Sequence, residues 1–222
     1  MQSTFGNWVA FLNGSGWDYE LLVASEARQS VESLTSSASR ACPVSPPQSL
    51  GFGAALAACL PLARNPLVCY TRCSPAKPPE NLKQLLRRID HADLVTGIRT
   101  THTKMPIVPR FDFRRFLLSL VFGVPVTDPF SLWALARREV LESLVLQSRG
   151  DFAHVEILAK VNFLEGILDE IGVIERDPPE RITFAWDDVR RVFFQPDFKS
   201  RSSPADSGAA SLSSSPASPK DR

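Results

Sequence analysis

Short apolar runs alternate with amphipathic helical patterns between residues 19 and 174 of this chain. In the clearest helical pattern, Leu82, Leu85 and Ile89 recur on one face, with charged residues between them. The apolar runs predict buried strands over residues 19–24, 66–70, 92–97 and 168–174. The helical patterns predict helices over residues 53–63, 80–90, 113–122, 132–147 and 151–165. This alternation favours an α/β fold with right-handed crossovers and a mainly parallel sheet, covered by helices on both faces.

Three segments depart from this pattern. Residues 33–49 are rich in Ser and Pro and predict a loop. Residues 186–198 form an amphipathic segment that either packs back on the domain or pairs with a partner. The end of the chain is rich in Ser and Pro and cannot bury enough apolar surface to fold. We therefore predict one domain over residues 1–198 and a disordered tail over residues 199–222.

The composition excludes several classes of protein. The chain has 222 residues, of which 44% are hydrophobic, and this is enough for a core. The 25 Lys and Arg residues balance 24 Asp and Glu residues, so non-specific nucleic-acid binding is not expected. No apolar run reaches the roughly 18 residues of a membrane-spanning helix, and no secretory signal is visible. These features favour a cytoplasmic protein.

The four cysteines do not form a metal-binding pattern. They contain no Cys-x-x-Cys spacing, and the chain has only three histidines, so a structural zinc site is not expected. We interpret the thiols as reduced.

Ligands of parallel α/β sheets bind beyond the carboxyl ends of the strands. The loops after Ala24, Tyr70 and Gly97 are therefore where we expect chemistry.

A series of short motifs follows the predicted strands and helices in order. They are YELLVASE at residues 19–26, SLGFGAAL at 49–56, VCYTRCS at 68–74, PPE at 78–80, DLVTGIR at 93–99, DPFSLW at 128–133 and GILDEIGV at 166–173. In order and spacing they resemble the family 2 glycosyltransferases. The resemblance is to the branch that includes dolichol- and polyprenyl-phosphate mannosyl- or glucosyltransferases, and it covers about two thirds of the chain.

The resemblance implies a fold and a function. The fold is a single nucleotide-diphospho-sugar transferase domain of the GT-A type, in which the family's first strand has no counterpart here. The implied function is transfer of a hexose from a nucleotide sugar to a polyprenyl-phosphate or glycan acceptor. The alternative is a non-catalytic binding or regulatory protein that retains the fold, for example as the partner of an active enzyme.

The resemblance also implies site residues. Asp128 matches a carboxylate that faces the acceptor, where it would act as general base or orient the acceptor. A helix N-terminal cap is the alternative role for Asp128. Arg110 and Ser131 would contact the acceptor. The donor would contact six residues: Glu26, Gly51, Gly53, Arg72, Ser74 and Arg99. Two further acidic matches, Glu156 and Glu170, are more typical of structural partners for basic residues.

The chain departs from the family at its cation-binding motif. Relatives usually hold Mg²⁺ or Mn²⁺ with an Asp-x-Asp, and this chain has Arg72-Cys73-Ser74 there. We therefore predict no metal and no cofactor. Two interpretations remain open. Catalysis is lost or weak, or the guanidinium of Arg72 replaces the cation at the leaving diphosphate.

One predicted helix raises the question of membrane contact. Residues 113–122 place Arg114 and Arg115 beside a dense apolar stretch. In relatives that act on polyprenyl phosphates, this region can lie at the membrane surface, which would make the protein peripheral at the inner membrane. An internal helix that covers the sheet is the alternative. The expected partners are thus a nucleotide sugar, a lipid-phosphate acceptor, and possible membrane or protein contacts.

Overall fold

The chain is described from a computed structural model. The structure describes residues 2–25, 28–36, 38–45, 51–100, 123, 125–176 and 185–197. The helices are α1 (Gln2–Asn13), α2 (Arg28–Thr35), α3 (Phe52–Cys59), α4 (Leu82–Leu86), α5 (Arg138–Glu142), α6 (Phe152–Phe163) and α7 (Trp186–Phe194). The strands are β1 (Leu21–Ala24), β2 (Ala41–Val44), β3 (Leu67–Thr71), β4 (Leu94–Thr100), β5 (Trp133–Arg137) and β6 (Leu168–Ile174).

The described strands form two sheets. β1 and β2 are a parallel pair, and the second sheet has the order β3-β5-β4-β6. In that sheet β4 and β6 are parallel, whereas β5 runs antiparallel to both β3 and β4. The mainly parallel sheet of the sequence analysis is thus present, with β5 as the one strand that runs in the opposite direction among the described residues.

The larger sheet is buried on both faces. Successive side chains of β5 alternate between two cores, with Ala134 and Ala136 on one face and Trp133 and Leu135 on the other. Helices α3, α5 and α6 cover the first face, and α1 and α4 cover the second. A strand that is buried on both faces needs apolar residues at every position, and this accounts for the continuous apolar character of β5.

Most predicted elements are confirmed. β1, β3, β4 and β6 overlap the predicted strands, with β4 extending to Thr100, and α3 and α6 correspond to predicted helices. The pattern of residues 80–90 forms α4 between two 3₁₀ turns, Pro79–Asn81 and Ile89–His91. The apolar face predicted for this pattern is buried. The helix predicted for residues 113–122 lies outside the described residues.

Two predictions of local structure are wrong. The helix predicted over residues 132–147 is strand β5 followed by the short helix α5, because a fully buried strand carries no polar period to distinguish it from a helix. The loop predicted over residues 33–49 contains the end of α2 and strand β2. Pro43 is tolerated in β2 because the only described neighbour of this strand is β1.

The amphipathic segment near the end of the domain packs back on the core. In α7, Val192 is buried against Phe152 and Val155 of α6. The side chain of Lys160, also on α6, donates to the backbone carbonyl of Asp197 at 2.8 Å. The first of the two alternatives left open for this segment is therefore confirmed. Residues 199–222, predicted to be a disordered tail, lie outside the described part of the chain.

The structure shows the state of the cysteines and the lengths of the described helices. All four cysteines are free thiols, and burial raises the pKa of the Cys69 thiol to about 12. Among the helices that the structure describes, none has the length and apolar character needed to cross a bilayer.

Candidate functional site

Arg72 lies at the carboxyl end of β3, directly after Thr71. Its guanidinium forms an ion pair and hydrogen bond with the carboxylate of Asp151, which precedes the first turn of α6. The side chain of Asp151 is 4% exposed and that of Arg72 is 30% exposed. The guanidinium of Arg72 is therefore held in place by a buried carboxylate and is partly exposed to solvent at the end of the strand.

The described residues at this strand end are not a typical ligand set for a divalent cation. Mg²⁺ and Mn²⁺ are held by hard oxygen ligands, chiefly carboxylates. The carboxylate of Asp151 is already paired with Arg72, and the hydroxyl of Ser74 accepts a hydrogen bond from the amide of Ala76 at 3.3 Å. Within the described ranges, no three His, Cys, Asp or Glu side chains converge to form a metal site.

Gly51 and Gly53 bring the first turn of α3 against the loop that precedes α6. The amide of Gly53 donates to the carbonyl of Gly150 at 3.1 Å, and the amide of Ala54 donates to the carbonyl of Arg149 at 3.0 Å. A Cβ atom on either glycine would lie 2.2 Å from a backbone oxygen of this loop. The glycines thus permit a backbone-to-backbone contact. Their predicted role in donor binding stays a prediction.

We expect Gly53→Ala to lower the free energy of unfolding by about 2–3 kcal/mol, because the new methyl group would collide with the carbonyl of Ser148. Gly6→Ala is the matched control, since Gly6 lies in α1 with nothing within 4 Å of the added atom. This control should be neutral or stabilising by about 0.5–1 kcal/mol. Urea unfolding of the three proteins measures both effects. Equal stabilities for the two variants would contradict the close contact.

Asp128 and Arg99 are bound to each other. The guanidinium of Arg99 donates to the two carboxylate oxygens of Asp128, from Nε at 2.7 Å and from Nη2 at 2.9 Å. The backbone amides of Arg99 and Phe130 also donate to this carboxylate, at 3.2 and 3.4 Å. Arg99 is at the end of β4, and Asp128 is 5% exposed. No helix follows Asp128, because residues 129–130 form a turn ahead of β5, so the cap role is wrong.

A second layer of buried charge supports this pair. Glu175, just after β6, lies 3.7 Å from Nε of Arg99 and 3.6 Å from Nζ of Lys77. The side chains of Lys77 and Glu175 are each 1% exposed. Burial alone would lower the pKa of Arg99, but the hydrogen bond to Asp128 and the charges of Asp128 and Glu175 outweigh it, so this pKa is raised. Arg99 is therefore a fixed cation.

Ser131, predicted to contact the acceptor, lies between these groups. Its carbonyl accepts a hydrogen bond from the side chain of Lys77, and its hydroxyl accepts from the amide of Trp133 at 3.4 Å. The next residue, Leu132, has a φ of +49°, which is rare for a side chain of this kind. Strained backbone of this type is held only where the surroundings over-determine it, and it is frequent at functional sites.

His154 lies between the two halves of the site. Its ring is fully buried, with Nδ1 3.0 Å from the hydroxyl of Tyr70 on β3 and Nε2 3.4 Å from the hydroxyl of Thr96 on β4. Burial lowers the pKa of His154 to about 3, with nearby Lys77 and Arg99 adding to the effect and Asp128 opposing it. The imidazole is therefore neutral at pH 7.

We expect His154 to make stability depend on pH. Because its pKa is lower in the folded than in the unfolded chain, its contribution is complete above pH 6.5 and is lost as pH falls from there towards 3. Between pH 7.5 and 5.0 this loss is about 2 kcal/mol. His154→Gln should lose correspondingly less over the same interval. Urea unfolding at both pH values measures this difference, and parallel losses in the two proteins would contradict a neutral buried imidazole.

The structure places the predicted site residues in two groups. Arg72, Ser74, Gly51 and Gly53 lie near the ends of β3 and α3, and Arg99, Asp128 and Ser131 form the second group. Glu26 and Arg110 lie outside the described residues. The sequence analysis missed Lys77, Asp151, His154 and Glu175. The signal that could have found Glu175 is a charged residue directly after a predicted strand.

No family model and no curated protein matches this sequence. Solved structures do match, and they define the fold as that of a GT-A nucleotide-sugar glycosyltransferase domain. At identities of about one fifth, these similarities concern the fold alone.

The matching structures include glucosyl-3-phosphoglycerate synthase from Mycobacterium tuberculosis. In complex with Mn²⁺, UDP and glucosyl-3-phosphoglycerate, it is 20% identical with a TM-score of 0.64, over 88% of this chain and 73% of that chain. In complex with phosphoglyceric acid, it is 20% identical with a TM-score of 0.62, over 87% and 71%. A crystal structure of a mycobacterial protein is 20% identical with a TM-score of 0.63, over 82% and 65%. The chain therefore spans about two thirds to three quarters of the length of these structures.

Proposed function

We propose that this protein binds a nucleoside diphosphate sugar without a divalent cation. The observation that carries the proposal is the position of Arg72, a partly exposed guanidinium at the carboxyl end of β3. Ligands of α/β sheets bind beyond such strand ends. The similar solved structures support this choice of ligand, because several of them contain UDP or UDP-glucose.

Arg72 is suited to contact a diphosphate. A guanidinium presents donors in a plane that matches phosphate oxygens, and it remains charged at all physiological pH values. Its ion pair with the buried Asp151 fixes its position. A fixed cation beside a leaving diphosphate stabilises the charge that develops there, which is the task that a metal ion performs in metal-dependent transfer.

For the reaction, we propose that the protein transfers a hexose to a polyprenyl-phosphate or glycan acceptor with weak activity, or has lost transfer. Asp128 would face the acceptor, but four donors from Arg99 and Phe130 already occupy its carboxylate. Such a carboxylate is a poor general base until Arg99 moves away. A small phosphorylated acceptor is the alternative, because similar structures contain phosphoglyceric acid.

The saturation of Asp128 also favours a second candidate, a non-catalytic binding or regulatory protein. Such a protein would bind the nucleotide sugar and a protein partner without turnover. Release of free hexose or transfer to an acceptor, measured with and without manganese, separates the two candidates. Measurable metal-independent turnover supports the transferase, and its absence together with nucleotide binding supports the regulatory protein.

We expect UDP-glucose to stabilise the protein in EDTA. Ligand at about 100 times its dissociation constant should raise the melting temperature by about 5–10 °C. Arg72→Ala should remove this shift. Arg87→Ala should retain it, because Arg87 is exposed and its side chain is hydrogen-bonded to Gln84. Arg72→Lys keeps a charge for Asp151 and shows whether loss of folding is responsible. No shift with any nucleoside diphosphate, or an equal shift in Arg72→Ala, would contradict the proposal.

A lipid-phosphate acceptor would require contact with a membrane surface. The segment that would make this contact, residues 113–122, lies outside the described residues. Co-sedimentation with anionic vesicles tests the requirement. Binding that is lost when Arg114 and Arg115 are both replaced by Gln would support the lipid acceptor. Failure to co-sediment would favour a soluble acceptor.

A further inference from the structure

The loop that precedes α6 determines where the guanidinium of Arg72 lies. We call residues 147–151 the α6 loop. Its last residue, Asp151, binds Arg72 with a side chain that is 4% exposed, across 79 residues of sequence. Placement errors of about 1 Å in a binding site have large effects on its function. The contacts that hold the α6 loop are therefore relevant to the diphosphate site.

Two elements of the core hold four backbone groups of the α6 loop. The buried carboxylate of Glu156 on α6 accepts hydrogen bonds from the amides of Gln147 and Ser148. The first turn of α3 donates to the carbonyls of Arg149 and Gly150. The amide of Gly150, the residue directly before Asp151, is bound by a third element.

That third element is α7, of which one turn contacts the α6 loop at two places. Oδ2 of Asp188 accepts a hydrogen bond from the amide of Gly150 at 3.1 Å, and Nη1 of Arg191 donates to the carbonyl of Gln147 at 3.3 Å. Asp188 and Arg191 are three residues apart, hence on one face of the helix, and their side chains approach to 4.0 Å. Because a carboxylate is a strong acceptor, Asp188 fixes the residue next to Asp151.

Few apolar contacts hold α7 itself on the domain. Of its nine residues, Asp188 and Val192 are buried. Val192 packs on α6, whereas Trp186 and Phe194 are 69% and 71% exposed. Segments with few buried apolar contacts open at a lower free energy than the core of a protein. Asp188 therefore links a weakly held helix to the loop that carries the partner of Arg72.

We propose that Asp188 is a positioning residue for the diphosphate site. By holding Gly150 it fixes Asp151, and through Asp151 it fixes the guanidinium of Arg72 in the orientation that binds a diphosphate. This inference rests on the proposed function, because it concerns the affinity of the same site. The coupling is reciprocal, so a nucleotide sugar bound at Arg72 stabilises α7 in its docked position.

Calorimetric titration of UDP-glucose into the full chain in EDTA measures the effect on affinity. Asp188→Ala removes the acceptor for Gly150 and should weaken binding by at least about tenfold. Asp188→Asn keeps an oxygen that accepts from this amide, so its affinity should stay within about threefold of the unchanged protein. Asp187→Ala is the matched control, since Asp187 is an exposed acid in the same turn, and it should leave the affinity unchanged.

Hydrogen exchange separates positioning from a general loss of stability. The amides of Gly53 and Ala54 report on the α6 loop, because they donate to its carbonyls. In Asp188→Ala their exchange should accelerate at least about tenfold more than that of Leu135 in the core strand β5. In the unchanged protein, saturating UDP-glucose should slow exchange at Val192 of α7 by at least about tenfold, and in Asp188→Ala by less than about threefold.

Three results would overturn the proposal while leaving the proposed function in place. They are equal affinity in Asp188→Ala and the unchanged protein, an equal loss of affinity in Asp188→Asn and Asp188→Ala, or exchange at Leu135 that accelerates as much as exchange at Gly53. Failure of the proposed function gives a different result, because the unchanged protein would then not bind UDP-glucose at all. That result would overturn this proposal as well.

Discussion

Replacing Arg99 with Met is expected to lower the free energy of unfolding by about 3–5 kcal/mol. Removal of the guanidinium leaves the carboxylates of Asp128 and Glu175 buried without their shared cation. Side chains of Asp128 and Glu175 are 7% and 1% exposed, so water cannot replace the lost charge. Urea unfolding at pH 7.5 measures the loss.

A double variant separates the contribution of the ion pair to the free energy of unfolding from the destabilisation caused by an unpaired buried charge. Arg99→Met with Asp128→Leu removes both partners and should recover part of the stability that Arg99→Met loses. A loss below about 1 kcal/mol in Arg99→Met would show that the network is solvated and would contradict its burial. Arg99→Met also frees the carboxylate of Asp128, but its loss of stability would obscure a gain of hexose transfer. Arg99→Lys is therefore the variant in which such a gain should be measured.

Replacing Glu156 with Ala is the other change expected to have a large effect, again about 3–5 kcal/mol of unfolding free energy. The carboxylate of Glu156 is fully buried, lies 2.7 Å from Nζ of Lys160, and accepts from the amides of Gln147 and Ser148 at 2.9 and 2.8 Å. Its loss would leave a buried cation and two amides without this acceptor. The loop that precedes α6 and contacts Gly53 should loosen at the same time.

The matched control for Glu156 is Glu142→Ala. Glu142 forms an ion pair with Arg138 at the same i,i+4 spacing, but the side chains are 48% and 37% exposed. Exposed pairs of this kind contribute at most about 1 kcal/mol. Denaturant unfolding of both variants compares the same chemistry in two environments. Similar losses in the two would contradict the view that burial gives Glu156 its structural role.

The sequence predicts the strands that carry an uninterrupted apolar run between turn signals. β3 and β6 are examples, because a short apolar run between turn residues is typical of a strand and is too short for most helices. It does not predict β5, whose residues are followed at once by the helical pattern of α5, so that the two merge into one apparent helix. β2 is hidden for a different reason. Its pairing with β1 is a tertiary contact that overrides the loop signals of Ser and Pro.

The sequence predicts where the candidate site lies but not which of its residues form ion pairs with one another. The sequence places Arg72 and Arg99 after predicted strands. The structure confirms this placement for Arg72, whereas Arg99 lies within β4, one residue before its end. The sequence cannot show that Asp151, 79 residues later, binds Arg72, or that Asp128 is held by Arg99. Pairs of this kind depend on how distant strand ends meet, and no local pattern encodes that meeting. The consequence is functional, since a carboxylate that appears available in sequence is occupied in the fold.

We propose that a guanidinium at the end of β3 replaces a metal ion in holding a diphosphate. Calorimetric titration of UDP-glucose into the full chain, once in EDTA and once in manganese, tests it most directly. We predict binding in EDTA with a dissociation constant that manganese changes by less than about threefold, because the residues around Arg72 offer no set of carboxylates to a cation. Binding that is absent in EDTA and present with manganese would contradict the claim.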